Sequence, residues 1–169
     1  MVDLVRLRQA APDDLGFLSA LARDPAVEPC LAPGRGEPAA LRDLLSPRDS
    51  ASPEGLYLIE APAGRPVGGL ALAVVNRRSR ICEINRVMLQ ADARGAGIAS
   101  TAVRLACRTA VVDHEMHRIE AQVYGDNFAG QRLFERAGFT REGARRRAYL
   151  RHARWLDGIL YGLLAEELD

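Results

Sequence analysis

The sequence predicts a single α/β (α+β) domain over residues 1–169, built on one mixed, mostly antiparallel sheet of about seven strands with helices on both sides. Three observations predict it. Three strand-like runs separated by short turns occupy the middle of the chain. At residue 95 the apolar period changes from that of a strand to that of a helix. Beyond that point strand and helix patterns alternate, and two more strand-like runs close the chain. The element order is β-α-α-β-β-β-α-β-α-β-β.

Residues 2–8 alternate apolar and polar side chains and read as the first strand. Pro12, Asp13 and Asp14 open a helix through about residue 22, because proline and acids suit a first helical turn. Residues 24–38 are rich in proline and glycine, including Pro33-Gly34-Arg35-Gly36, and read as a mobile loop before a short helix near 39–45. That loop is either one wall of a site or a plain connector. The central strands are 56–60, 67–75 and 81–89, with turns at Ala63-Gly64 and at 76–79. From 95 to 114, Ile98, Ala102, Leu105, Ala106 and Ala110 recur at helical spacing. A strand at 118–124 and a helix at about 128–137 follow. The Gly138-Phe139 break leads to strands near 139–147 and 154–164.

Composition excludes several classes. Apolar residues make up 48% and charged residues 27%, as in an ordinary globular protein. All 23 basic residues are arginine, yet the net charge is only +1, so a general nucleic-acid coat is not expected. Cys30, Cys82 and Cys107 are scattered and form no CxxC, which predicts neither a disulfide framework nor a zinc site, and suggests a cytoplasmic protein. No secretory leader or membrane span is expected, since no apolar run approaches about 20 residues.

The most informative segment is Arg94-Gly95-Ala96-Gly97-Ile98-Ala99-Ser100-Thr101. It follows an apolar strand and opens a helix. A helix start presents about four unpaired N–H groups and the positive end of the helix dipole. Glycines let that backbone approach a phosphate closely. The segment is not a Walker loop, for no Gly-Lys-Ser/Thr follows. Ser100 stands where a dinucleotide fingerprint has its third glycine.

Arg94-x-x-Gly97-x-Ala99 resembles the acyl-CoA loop of the GNAT superfamily of N-acetyltransferases. The segment from Asn127 through Ala129, Arg132, Leu133, Phe134 and Gly138 to Phe139 is similar to that superfamily's second conserved region. The tail from Arg141-Glu142-Gly143 to Trp155, Asp157 and Tyr161 resembles the ribosomal-protein alanine N-acetyltransferase branch, as does His117-Arg118-Ile119-Glu120-Ala121. The resemblance covers roughly residues 55–165. It implies the GNAT fold and an acetyl transfer from acetyl-CoA, as cosubstrate and without a metal, to a primary amine. The acceptor would be a protein N-terminus or, alternatively, a small metabolite or antibiotic; a non-catalytic acyl-CoA-binding module is a further alternative, and a homodimer would be ordinary.

Residue by residue, the resemblance implies that Arg94, Gly95, Ala96, Gly97, Ile98, Ala99 and Ser100 meet the pyrophosphate. Main-chain groups of Val87, Met88 and Leu89 would meet the pantetheine arm, where a bulge near 85–87 splays this strand from the next. Asn127 would bond the same arm, or cap its helix. Phe134 occupies a position where many members carry a proton-donating tyrosine, which leaves the departing thiolate to its own stability, a thiol pKa being about 8.5.

An amine must lose a proton before it attacks a thioester. Glu83 is the candidate base: it lies eleven residues before Arg94, and period two places it on one face with Asn85, Val87 and Leu89. The alternative is a strand glutamate paired with an arginine, and the resembled branch often carries its acid one position along, at Ile84. Tyr124 is the nearest substitute acid in sequence, or an ordinary strand tyrosine. Arg145-Arg146-Arg147 is a solvated strand end or meets an acidic acceptor or a CoA phosphate. Trp155 and Asp157 either pack or contact the acceptor. His114-Glu115-Met116-His117 is one residue short of a metalloprotease motif.

Overall fold

The computed structural model describes residues 5–45 and 51–168. Its sheet has seven strands: β1 (Arg6–Gln9), β2 (Gly55–Ala61), β3 (Arg65–Asn76), β4 (Ile81–Leu89), β5 (Arg118–Tyr124), β6 (Thr140–Arg151) and β7 (Arg154–Leu164). They lie in the order β1-β2-β3-β4-β5-β7-β6. Every neighbouring pair is antiparallel except β4 and β5. The helices are α1 (Leu15–Ala22), α2 (Pro38–Arg42), α3 (Ile98–Arg108) and α4 (Phe128–Arg136). The expected fold class and element order are met.

Boundaries differ where the competing local geometry is visible. The part of the first strand expected at residues 2–4 lies outside the described residues. Pro12–Asp14 forms a single 3₁₀ turn ahead of α1, braced where Asp14 accepts from the Ala11 amide at 2.7 Å. α3 starts at Ile98 rather than at 95, because Gly95 and Gly97 are left-handed (φ 82° and 78°). It ends at Arg108 and widens into a π turn over Thr109–Asp113. β6 runs to Arg151, well past 147, through a wide register break against β7 between Arg145 and Tyr149. The segment expected to be a mobile loop is instead anchored: Val27 and Leu31 are buried with Leu18, Leu41 and Met88.

β2 explains how one sheet carries two cores. Its residues are buried on both faces, with Leu56 and Leu58 turned to α1 and α2, and Tyr57 and Ile59 turned to α3. The α3–α4 face is the larger core and runs on through Ile119, Ala121 and Val123 of β5 to Ile159, Tyr161 and Leu163 of β7. The opposite face of β5 carries Arg118, Glu120, Gln122 and Tyr124, with no α1–α2 layer apolar enough to bury it. β6 is a polar edge strand with arginines along it, which discourages edge-to-edge pairing.

One irregularity positions everything that follows. Against β3, the register of β4 moves from Met88↔Gly69 to Asn85↔Ala71, so three steps on β4 oppose two on β3. The extra residue is a bulge at Arg86, whose φ is +53°. A one-residue insertion exchanges the two faces of a strand. Cys82 and Ile84 face the α3 core before the bulge, Leu89 faces it after, and Met88 joins the α1 side. The expectation that Glu83, Asn85, Val87 and Leu89 share one face is therefore corrected: the bulge turns Val87 and Leu89 toward α3. β4 and β5 pair only at Ile81–Glu83 with Arg118–Glu120 and then separate, leaving a split between two parallel neighbours.

Candidate active site

Two contiguous cavities open from that split. The first, about 400 Å³, lies between the last residues of β4, the start of α3 and the exposed face of α4. It is lined by Val87, Met88, Leu89, Arg94, Gly95 and residues 97–100, and by Arg132 and Arg136 one helical turn apart, with no carboxylate among the described residues of its walls. None of the backbone N–H groups of residues 95–100 meets an acceptor among the described residues. Ser100 turns its hydroxyl back onto the Gly97 carbonyl at 2.9 Å, closing the first turn of the helix. Six amides, a helix N-terminus and three guanidiniums make a cradle for phosphate oxygens.

Arg94 has a further task. Its Nε and Nη2 donate to the Leu89 carbonyl at 3.1 and 2.9 Å, tying the loop to the end of β4. The Leu89 carbonyl, expected to pair with a cofactor arm, receives Arg94 instead. Met88 is almost wholly buried on the α1 side, so only its backbone can belong to the split. Asn127 caps α4: its Oδ1 accepts from the Gly130 amide at 2.9 Å. A Cβ on Gly130 would lie 2.6 Å from Asn127 Nδ2 and 2.9 Å from Val123 Cγ1, so only glycine lets the cap and β5 approach each other.

The second cavity, about 320 Å³, shares Cys30, Val87, Asn127, Gly130 and Leu133 with the first and extends onto the polar face of β5. Besides Asn127, Gly130, Leu133 and Phe134 around α4, its walls come from four separate stretches of chain. Leu31, Ala32 and Arg35 belong to the anchored loop, Glu83 to Val87 to the bulged strand, Gln122 to Tyr124 to β5, and Arg145 and Tyr149 to β6. Glu83 is half-exposed there. Its Oε1 accepts from Arg35 Nη1 at 3.1 Å and from Asn85 Nδ2 at 3.0 Å. Its Oε2 accepts from no described residue. Ile84 is buried in the α3 core, so the acid reaching the cavity is Glu83.

Tyr124 is buried at the back of this cavity, edge-on to Tyr149 with ring centroids 5.4 Å apart, and the Arg151 guanidinium lies over its ring at 5.7 Å. Burial raises its phenol above the ordinary value of 10.0. Phe134 is buried between Phe139 and Tyr161 and offers no proton. Tyr161 does carry a hydroxyl but donates it to Glu135 Oε1 at 3.0 Å, and burial pushes it up to about 12.

The remaining candidates have structural work. Asp157 accepts from the Arg147 amide at 2.8 Å and holds the register break of β6, while Trp155 is 61% exposed outside both cavities. His114 Nδ1 lies 3.0 Å from the Ala51 carbonyl, and no group of three or more His, Cys, Asp or Glu among the described residues could hold a metal. Cys82 and Cys107 are core residues whose thiols burial pushes up to about 12. Sequence reasoning missed Arg35 and Arg86 as cavity residues. Arg35 lies 48 positions from Glu83 in a stretch with no periodicity, and Arg86 reaches the cavity only through the bulge.

No described helix is long and apolar enough to cross a membrane. A family model described as "Acetyltransferase (GNAT) domain" matches residues 5–140. The probable N-acetyltransferase YjcK of Bacillus subtilis (strain 168) is 30% identical over 107 residues, 63% of this chain. The SPbeta prophage-derived uncharacterized N-acetyltransferase YokL of the same organism is 29% identical over 76 residues, 45% of this chain. These matches span 59% and 43% of those relatives' own lengths. Among solved structures, the spermidine N-acetyltransferase of Vibrio cholerae in complex with CoA and spermine superposes with a TM-score of 0.84 at 20% identity, covering 98% of each chain. That likeness is one of fold.

Proposed function

Because the chain belongs to the GNAT acetyltransferase domain family, we propose that it transfers an acetyl group from acetyl-CoA to the primary amine of a small molecule. The observation that carries the reading is the split between β4 and β5, which joins an anion cradle of free amides to a cavity holding one carboxylate. Acetyl-CoA supplies a thioester carbonyl for attack and a thiolate that departs. The protein's own groups do the rest. Amides 95–100, with Arg132 and Arg136, bind phosphate oxygens, and the splayed main chain at Val87 and the Asn127 side chain border the arm's path.

Glu83 accepts the amine's proton, directly or through water. Arg35 and Asn85 hold Oε1, which orients the carboxylate and leaves Oε2 toward the cavity. A positioned base of this kind typically contributes about 10²–10⁴-fold. Tyr124, whose phenol burial raises above 10.0, lines the cavity and serves as the proton donor in place of Phe134. The small acceptor is favoured by size: the cavity, lined on one side by loop residues Leu31, Ala32 and Arg35, has a volume of about 320 Å³, at the low end of small-ligand pockets. A protein N-terminus remains the second reading, on the resemblance of the tail to the alanine N-acetyltransferase branch.

Acetyl-CoA at about 100 times its Kd should stabilise the fold by about 2.7 kcal/mol. At about 2–4 °C per kcal/mol this is a readable rise in Tm, and NADH should give none. Thiol release should then follow the addition of small amines and not of peptides. Absence of both the shift and the release would remove the reading.

A further inference from the structure

The acceptor cavity holds more positive charge than its one carboxylate can balance. Arg35, Arg86 and Arg145 line it, and Glu83 is its only acid among the described residues. Arg35 pairs with Glu83, which leaves two guanidiniums over. Arg86 donates to the Arg35 carbonyl at 2.9 Å and to Asn85 Oδ1 at 2.6 Å, both neutral oxygens. Arg145 donates to the Tyr149 hydroxyl at 2.7 Å. Neither makes an ion pair with any described carboxylate.

Arg86 is held there against two penalties. It occupies a left-handed backbone position that disfavours any residue with a Cβ. Burial, then the neighbouring Arg35, lowers its pKa to about 10, and Glu83 offsets only part of that shift. A strained, half-buried guanidinium on β4 and an exposed one on β6, neither bonded to a carboxylate, face one cavity with the donors an oxyanion needs. The arrangement also fits by position. Asn85 bonds both Glu83 and Arg86, which sets that guanidinium one side chain away from the carboxylate, and Arg145 lines the same cavity.

We infer that the acceptor is an amine bearing a carboxylate or phosphate group close to its nitrogen, with Arg86 and Arg145 gripping the anion while Glu83 faces the nitrogen. This rests on the acetyltransferase reading and narrows it. A guanidinium presents the planar fork that suits both oxyanions. A polyamine would place further ammonium groups beside unpaired arginines, and like charges in a partly desolvated cavity repel.

The test compares acceptors that differ in one charge, using the full chain and saturating acetyl-CoA in a thiol-release assay. Alanine is set against alaninamide, 2-aminoethylphosphonate against ethanolamine, and spermidine is added as the polycation. The amide has the less basic amine, so unaided chemistry favours it. The expected result is a kcat/KM about tenfold or more higher for each anionic member. Arg86→Gln and Arg145→Gln should each erase most of that ratio, Arg86→Lys should restore part of it, and Arg145→Glu should shift preference toward spermidine. The Tm rise with acetyl-CoA should survive in all four. Where turnover is too slow to read, calorimetric binding of the same pairs to the acetyl-CoA-free chain gives the ratio. Equal or better use of the uncharged partner or of spermidine, or a ratio indifferent to both glutamine variants, overturns the inference while leaving acetyl transfer intact. A chain that shows no Tm shift with acetyl-CoA overturns both.

Discussion

The two ends of the β4–β5 split are both rich in arginine, yet they are built in opposite ways. At the α3 end the free donors are mainly the amides of six consecutive residues, supported by two arginines one turn apart on a single helix. At the Tyr124 end, the walls come from the loop before α2, the bulge of β4, the polar face of β5 and the edge strand β6. The amides that dominate the first site are a local structure, and the second site is a tertiary one. A local site made of backbone is hard to damage through any one side chain. A tertiary site concentrates its chemistry in single side chains, and one substitution can end it.

That contrast orders the expected effects. Glu83→Gln should be the most damaging, lowering kcat about 10²–10⁴-fold with the Tm rise on acetyl-CoA unchanged. Tyr124→Phe comes next, with a loss of up to about 10²-fold, since a thiolate leaves tolerably without help. Its pH profile sharpens the assignment. Burial raises the phenol above 10.0, so the neutral donor persists at neutral pH and is lost only on the alkaline side. The wild-type kcat should hold its alkaline limb until above that value, and the phenylalanine variant should lack the limb.

At the junction of the two ends, Gly130→Ala should act through stability. A Cβ 2.6 Å from Asn127 Nδ2 overpacks the α4 cap, at about 1–3 kcal/mol, read as a Tm lower by about 2–4 °C per kcal/mol. The smallest effect belongs to the local end. Arg132→Gln with Arg136→Gln removes two exposed charges, each contributing about 0.2–1 kcal/mol, so the KM for acetyl-CoA should rise only a few-fold. The rise should shrink further in high salt. If that double variant proved more damaging than Glu83→Gln, the contrast between a backbone site and a side-chain site would be broken.

Legibility followed the same division. The glycine turn before α3 could be read because its cause is local: two glycines, a following helix and a preceding apolar strand lie within about a dozen residues. The bulge was expected near 85–87 from resemblance and is found at Arg86. Its consequence was not legible, since period-two reasoning carried Val87 and Leu89 onto the face of Glu83 when the inserted residue reverses them. Arg35 stood in a segment read as mobile, and only the burial of Val27 and Leu31 brings it against Glu83. Asn127 was legible as a cap because capping is a contact across three residues.

Periodicity, turn chemistry and short motifs determined the seven strands, four helices and the glycine turn before α3, because each depends on neighbours in the chain. Tertiary structure alone decided the acceptor end. Bringing residues 35, 83, 86 and 145 around one cavity depends on a sheet whose fourth and fifth strands part after three paired residues. No local pattern records that parting, for it is a property of two strands that meet across an intervening helix.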